Sequence, residues 1–191
     1  MAKWLSMVIV TLLLQACCSI LPPPPAKQLN LTLRPQETNN WCWAATTQMV
    51  TEYLGHGELQ CELANQRFSR SDCCAGTCPQ TAACNMPGWT MFTEAGFTTT
   101  ATGTPLAWNE VRREVGCSKR PMSYAYGPQS GGVGHVVVVS GYRQIGGIRF
   151  LAISDPWSPC QGTFRYLSYE EYSNSTTTDH WQTNHEIRHN P

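Results

Sequence analysis

The stretch that decides the fold is Gln36-Glu-Thr-Asn-Asn-Trp-Cys42-Trp-Ala-Ala45. Its two asparagines are residue types that cap the start of a helix, and side chains that can pack in a core recur after them at three- and four-residue steps. The pattern predicts a helix over residues 41–54, which Gly55 can end. Cys42 then lies in the first turn, where the positive end of the helix dipole favours a thiolate.

Two later segments carry side chains that suit such a thiol. His135 begins the apolar run Gly134-His-Val-Val-Val-Val-Ser-Gly-Tyr142, and Asp155 ends the next apolar run, just before Pro156-Trp157. A thiol nucleophile needs a base, and the base needs a partner that fixes its orientation. Because Ile145-Gly-Gly-Ile148 predicts a hairpin turn, the two runs should pair as neighbouring strands and bring His135 close to Asp155.

Gln36 lies six residues before Cys42. A side-chain amide at that distance can donate to the oxyanion that forms when Cys42 attacks a carbonyl carbon, beside the backbone N–H of Cys42. Each residue also has an ordinary interpretation: half-cystine for Cys42, strand-edge histidine for His135, turn residue for Asp155 and exposed loop residue for Gln36. Their combination in one chain favours a catalytic site.

The remaining pattern predicts an α+β fold in which a helical N-terminal half packs on a C-terminal antiparallel sheet. Four consecutive valines, residues 136–139, predict a strand that is covered on both faces. Further helices are predicted over residues 59–68, 88–96 and 104–115, strands over 121–126, 135–142, 148–154 and 163–167, and a short helix after the Ser168–Glu171 capping box.

The composition fits an exported, loop-rich domain. The chain has 191 residues, of which 14 % are charged, and its formal net charge is zero. That length suits one domain with a sizeable core. No basic cluster stands out, so binding to nucleic acid has little support.

The N-terminal segment predicts export. Residues 1–21 form a signal peptide, residues 22–29 a proline-rich spacer and residues 30–191 the folded domain. Leu14-Gln-Ala-Cys17 resembles a bacterial lipobox, so a lipid on Cys17 would be the protein's contact with a membrane. Simple cleavage nearby and an uncleaved anchor are the alternatives. The expected location is the periplasm, the outer membrane as a lipoprotein, or the medium.

The cysteines fit an oxidising compartment. Besides Cys17, Cys18 and Cys42, seven are available for disulfides, and their connectivity stays open: Cys61, Cys73, Cys74, Cys78, Cys84, Cys117 and Cys160. Seven is an odd number, so one of them stays free or pairs with Cys18. Zinc bound by the cluster between residues 73 and 84 is the weaker alternative, because no histidine accompanies it.

Together these residues resemble the papain-like cysteine peptidases of bacteria, above all the AvrRpt2-type effector proteases and the C39-like peptidase group. The resemblance covers about residues 30–175 and rests on short motifs: Gln36, Asn40-Trp-Cys-Trp-Ala44, Arg120-Pro121, Gly134-His135, Gly141-Tyr142 and Asp155-Pro-Trp157.

The resemblance implies a papain-like fold and hydrolysis of peptide bonds in a protein or peptide substrate through a cysteine thioester. It implies that Cys42 is the nucleophile, His135 the base, Asp155 the orienting residue and Gln36 the oxyanion donor, with no metal and no cofactor. The chain departs from the family in its cysteine-rich insertion, residues 61–84, and in its lipoprotein-like start.

Three other functions use parts of the same pattern. A cell-wall amidase of the NlpC/P60 or CHAP type keeps the cysteine and the histidine. A transferase uses the same residues with an amine in place of water. A disulfide-stapled surface binding module would keep the scaffold without turnover.

Overall fold

The computed structural model describes residues 22–74, 76, 78–79 and 82–190. The predicted signal peptide and the lipid site at Cys17 lie outside these residues. The elements, in chain order, are β1 (Ala26–Gln28), α1 (Cys42–Tyr53), α2 (Gln60–Phe68), a 3₁₀ turn (Ala82–Cys84), β2 (Phe97–Thr102), α3 (Trp108–Val111), a π-helical segment (Arg112–Cys117), β3 (Met122–Pro128), β4 (His135–Ile145), β5 (Ile148–Asp155), β6 (Thr163–Ser168), α4 (Tyr169–Asn174) and β7 (Thr178–His189).

One sheet organises the described part of the chain. Its strands follow the order β2-β7-β3-β4-β5-β6, and β1 pairs with the C-terminal half of β4. All these pairings are antiparallel. The α+β prediction is therefore confirmed, with a sheet that holds more strands than the sequence pattern indicated.

Strand β4 runs through the middle of the molecule and is covered on both faces. Val137 and Val139 belong to a core cluster with Leu151 of β5, whereas Val138 packs in a second cluster with Met49 of α1. All four valines are buried. Alternate side chains of a strand point to opposite faces, so the valine run fills the core on both sides, as predicted.

The helix predicted over residues 88–96 is wrong. Residues 92–96 form turns, and the N–H of Phe97 donates to the carbonyl of Phe92 at 2.8 Å. Gly96 has a φ of +84°, which reverses the chain so that Phe97 can begin β2 opposite His189 of β7. Turns that lead into β2 therefore stand where the local pattern predicted a helix.

The helix predicted from Thr104 begins four residues later, at Trp108. The N–H of Leu106 donates to the Tyr172 hydroxyl at 2.9 Å, and the Leu106 carbonyl accepts from the Tyr169 hydroxyl at 2.8 Å. These bonds to α4 hold the backbone extended before the helix starts. After Val111 the helix continues as the π-helical segment.

Disulfides staple the cysteine-rich insertion, as predicted. The pairs are Cys61–Cys74, Cys73–Cys84 and Cys78–Cys160, and Cys117 is disulfide-bonded as well. Zinc at residues 73–84 is therefore not supported, because each of those sulfurs is bonded to another sulfur. Among the described residues, Cys42 is the free thiol.

The proline-rich segment lies against the folded body. The carbonyl of Pro24 accepts from the Tyr142 hydroxyl at 2.9 Å, and the carbonyl of Pro23 accepts from the Arg112 guanidinium. Within the described residues, no helix is both long enough and apolar enough to cross a lipid bilayer.

Candidate active site

The three predicted reactive side chains lie at the ends of three elements. Cys42 is the first residue of α1, His135 the first of β4, and Asp155 the last of β5. The hydroxyl of Thr46, one turn along α1, donates to the carbonyl of Val136 at 3.2 Å. This bond joins the start of the helix to the start of the strand, so the fold itself brings Cys42 to His135.

His135 contacts both of its predicted partners. Its Nε2 lies 2.6 Å from Asp155 Oδ1, and its ring also interacts with the Cys42 side chain. Burial by itself lowers the pKa of His135, but the hydrogen bonds and charges of Asp155 and Cys42 outweigh it and raise the pKa from 6.5 to about 9. At neutral pH the ring is therefore an imidazolium.

Asp155 is held by three donors. Besides His135, the backbone N–H of Trp157 donates to Oδ1 at 3.0 Å, and Arg165 Nε donates to Oδ2 at 3.2 Å. Burial alone would raise the pKa of Asp155, but the contact with His135 and these two donors keep its pKa below the usual value. The carboxylate is thus ionised and fixed through both oxygens.

The sequence interpretation missed Arg165. Strand register is the signal that finds it: Thr163 of β6 pairs with Asp155, and Arg165 lies two residues further on the same face. Its Nη2 also donates to the Tyr126 hydroxyl at 3.3 Å, and the Tyr126 ring lies edge-on to His135 with 5.8 Å between centroids. Arg165 therefore joins the carboxylate to the aromatic wall beside the imidazole.

Gln36 lies next to the site but outside the cleft. Its side chain is fully buried, and Nε2 donates to the carbonyls of Thr38 and Asn39, both at 2.8 Å. Its backbone is held by the loop after Asp155, since the N–H of Gln36 donates to Pro156 and its carbonyl accepts from Cys160. In this structure, Gln36 braces the turn that leads into Cys42, and its Oε1 has no hydrogen-bond partner.

The end of the cysteine-rich insertion and the two residues that follow it clamp the segment around Cys42. Asn40 donates two hydrogen bonds to Asn85, from its N–H to Oδ1 at 2.9 Å and from its Nδ2 to the carbonyl at 3.0 Å. Trp41 Nε1 donates to the carbonyl of Cys84 at 2.7 Å, and Trp43 Nε1 donates to that of Met86 at 3.2 Å. The insertion, which the sequence interpretation treated as a departure from the family, is part of the site's framework.

Cys42 and His135 open into a cleft of about 890 Å³. One wall is formed by Trp89 and Trp181, whose ring centroids lie 6.2 Å apart. The Trp181 ring lies against Gly127 and Gly134, and a Cβ at either glycine would overlap it. Other described residues that line the cleft are Asn39, Asn40, Arg67, Pro87, Gly88, Thr90, Ala125, Gly132, Val133, Val136, Trp157 and Asn184.

The sequence matches a known family over most of its length. A family model described as the peptidase C39-like family matches residues 27–186. The chain belongs to the peptidase C39-like family. No curated protein sequence matches it significantly.

Solved structures agree on the fold of this peptidase. One comes from work on the mite allergens Blo t 1 and Der p 1, with a TM-score of 0.51, 13 % identity, and 85 % of this chain and 70 % of that chain covered. Another is digestive procathepsin L 3 from the larval midgut of Tenebrio molitor, with a TM-score of 0.51, 14 % identity, and 84 % and 70 % covered. Family and fold together identify a papain-like cysteine peptidase, as the sequence motifs predicted.

Proposed function

We propose that this peptidase cleaves peptide bonds through a thioester on Cys42, with His135 as base and acid and Asp155 as its orienting partner. The observation that carries the proposal is the line of contacts in the cleft: Asp155 Oδ1 to His135 Nε2 at 2.6 Å, then His135 to the one free described thiol. An orienter, a base and a nucleophile in hydrogen-bond contact are the parts that thiol catalysis needs.

The first half-reaction forms the thioester. With a pKa of about 9, His135 is an imidazolium at neutral pH, and beside it Cys42 acts as the thiolate nucleophile. The thiolate attacks the carbonyl carbon of the substrate, and the carbonyl π electrons move to oxygen. The C–N bond then breaks, and the imidazolium gives its proton to the leaving amine.

The second half-reaction releases the acid. Neutral His135 takes a proton from water, and the resulting hydroxide attacks the thioester carbon. The C–S bond breaks, the carboxylic acid leaves, and the thiolate–imidazolium pair is restored. Asp155 keeps its ionised form throughout and holds the ring in the tautomer that points Nδ1 at the sulfur.

Two donors are proposed for the oxyanion. As the first residue of α1, Cys42 has a backbone N–H without a partner inside the helix. Gln36 is the second donor, and it would exchange its bond to Thr38 or Asn39 for one to the oxyanion. A charged acceptor makes a stronger hydrogen bond than a neutral carbonyl, which favours this exchange only while the tetrahedral state exists.

The proposed substrate is a protein or peptide that lies extended in the cleft. The disulfides support an oxidising compartment for the domain. We propose that the protein is exported, to the periplasm, the outer membrane or the medium, and that a lipid at Cys17 is its membrane contact.

Product analysis tests the function. Mature protein is incubated with a peptide pool, and new termini are identified by mass spectrometry, with Cys42→Ala as the control. We expect cleavage by the wild type and none by Cys42→Ala, and a thiol-directed peptide epoxide should block the wild type. Cleavage that persists in Cys42→Ala would remove Cys42 from the mechanism.

The same assay separates the alternatives. Cleavage confined to cell-wall peptides would favour an NlpC/P60- or CHAP-type amidase. Products in which an added amine has joined the acyl group would favour a transferase. Binding without turnover would favour a surface binding module.

A further inference from the structure

One cationic side chain in the cleft takes no part in the proposed chemistry. Among the described residues that line the cleft, Arg67 and His135 are the charged ones, and no carboxylate accompanies them there. The charge of His135 is opposed by Asp155 at 2.6 Å. Arg67 is therefore the unopposed charge of the cleft.

The position of Arg67 is set by its surroundings. Its Cζ lies 5.2 Å from the centroid of the Trp43 ring, a cation–π distance, and the Trp43 indole is fixed by its bond to Met86. The guanidinium occupies the space beside Gly88, where an added Cβ would lie 2.6 Å from Arg67 Nε. A glycine at position 88 thus makes room for the guanidinium on the cleft wall.

Arg67 differs from the neighbouring arginine in having no anionic partner. Arg70, two residues beyond the end of α2, forms two hydrogen bonds with Asp72, at 2.8 and 2.6 Å. Within the described chain, no carboxylate lies within ion-pair distance of Arg67, whereas Arg34, Arg120, Arg165 and Arg188 each have one. Arg67 therefore presents a free guanidinium to a molecule in the cleft.

We propose that Arg67 selects peptide substrates that carry a carboxylate near the cleaved bond, next to an apolar or aromatic residue that packs on Trp89 and Trp181. The inference rests on the proposed function, because it assumes that a peptide occupies this cleft. The guanidinium fork matches a carboxylate through two parallel N–H donors. The gain is moderate because Arg67 is exposed, and roughly three- to tenfold in kcat/KM is expected for a rim ion pair.

Matched peptides test the selection. Sets that differ only in Glu, Gln or Lys at one position are compared, with that position moved along the peptide. Wild type should cleave one Glu peptide about three- to tenfold faster than its Gln form, with Lys slower still, and salt should reduce the difference. Arg67→Gln should bring the Glu-to-Gln ratio of kcat/KM close to one. Arg67→Glu should invert the order, so that the Lys peptide is cleaved faster than the Glu peptide.

Arg70→Gln is the matched control. It removes the same charge near the same end of α2, but from a side chain that already has a partner and does not line the cleft. The Glu-to-Gln ratio should keep its wild-type value in Arg70→Gln. A ratio near one in wild type, or a ratio unchanged in Arg67→Gln, overturns the inference and leaves the peptidase function standing.

The carboxylate can come from a side chain or from the C-terminus of the peptide. Peptides with free and amidated C-termini distinguish these sources, since amidation abolishes the preference only in the second case. Binding of the same Glu and Gln peptides to Cys42→Ala, followed by fluorescence anisotropy, adds a readout without turnover. If wild type cleaves no peptide, the proposed function fails, and equal affinities in this arm would overturn the role of Arg67 separately.

Discussion

The charge state of His135 is the residue-scale property on which the proposed chemistry depends most. Its ring touches an acid on one side and a thiol on the other, and the two raise its pKa to about 9 against the effect of burial. In the proposed mechanism, this imidazolium stabilises the Cys42 thiolate and protonates the leaving amine, while Asp155 contributes position and charge and takes no proton.

Substitution at these two residues should have unequal effects. His135→Ala should abolish turnover, because it removes the proton acceptor and donor together. Asp155→Asn should retain a fraction, roughly 10⁻² to 10⁻⁴ of wild-type kcat, since an amide still contacts the ring but favours the wrong tautomer. Hydrolysis rates on a cleaved peptide measure both, and full activity in His135→Ala would contradict the assigned base.

The pH dependence should follow the raised pKa of His135. The imidazolium persists below pH about 9 and is lost above it, so kcat/KM should fall on the alkaline side near pH 9 rather than near 6.5. Because the folded pKa of His135 lies above its unfolded value, the stability that protonated His135 contributes is complete below pH 6.5 and is lost as pH rises to about 9.

Two measurements check this dependence. A pH profile of kcat/KM gives the alkaline limb, and denaturant unfolding at pH 6 and pH 10 gives the stability. His135→Ala is the control for unfolding and should lose this part of the pH effect. An alkaline limb near 6.5 would mean that Asp155 and Cys42 do not hold the proton on the ring.

Arg165 is expected to act through Asp155. Its Nε contact at 3.2 Å fixes the carboxylate oxygen that His135 does not use, and the side chain is 34 % exposed. Arg165→Gln should lower kcat/KM roughly three- to tenfold, with partial rescue by Arg165→Lys. In an Asp155→Asn background, the same substitution should change kcat/KM little, because the carboxylate charge that Arg165 contacts is already gone.

Steady-state kinetics on wild type, Arg165→Gln, Asp155→Asn and the double variant test whether Arg165 acts through Asp155. Losses that multiply independently would show that Arg165 does not work through the carboxylate.

At the scale of elements, the start of α1 is held from outside the helix. The 3₁₀ turn and the residues after it supply Cys84, Asn85 and Met86, whose groups bind Asn40, Trp41 and Trp43. The Cys73–Cys84 disulfide anchors this segment, and both of its cysteines are buried. The position of Cys42 therefore depends on a disulfide that does not touch it.

Removing that disulfide should reduce activity as well as stability. Cys73→Ala/Cys84→Ala is expected to lose about 2–4 kcal/mol of unfolding free energy and to lower kcat/KM at temperatures where the protein stays folded. Cys61→Ala/Cys74→Ala is the matched control, since it opens a loop of similar length in the same insertion, 13 against 11 residues. Equal kcat/KM in the two variants would contradict the clamp.

Elements with strong local signals could be predicted from the sequence. Helix α1 could be predicted from the three- and four-residue spacing of its core side chains and from Gly55. The β4–β5 hairpin could be predicted from its glycines and valines. Strand β7 was not, because its sequence is polar and its extended state comes from pairing with β2 and β3 on either side. Pairing between distant segments leaves little trace in a local pattern.

The candidate site shows the same division. The proximity of Cys42, His135 and Asp155 could be predicted because each stands at a recognisable end of a helix or strand. Arg165 depends on the register of β5 against β6, and the clamp by the insertion depends on tertiary contacts, so neither could be predicted. For Gln36, the spacing gave its position beside the helix start, but not the two carbonyls that its amide binds.

At the scale of the whole molecule, the site lies where the helical side meets the sheet. Cys42 comes from the helix, and His135 and Asp155 come from the strands. The Cys78–Cys160 disulfide and the backbone bonds between Gln36 and the loop after Asp155 tie the two sides together. The fold thus leaves the Cys42 thiol free in the cleft, whereas the other described cysteines are disulfide-bonded.

The most direct test of the account is the reactivity of Cys42 in the whole oxidised protein. The folded protein is treated briefly with iodoacetamide at neutral pH, and the labelled cysteines are mapped by mass spectrometry, with His135→Ala as the control. We expect Cys42 to be the only rapidly alkylated thiol and its rate to fall in His135→Ala, because the thiolate depends on the imidazolium. Rapid labelling at Cys61, Cys74 or Cys117 with Cys42 unmodified would contradict the assignment of Cys42 as the nucleophile.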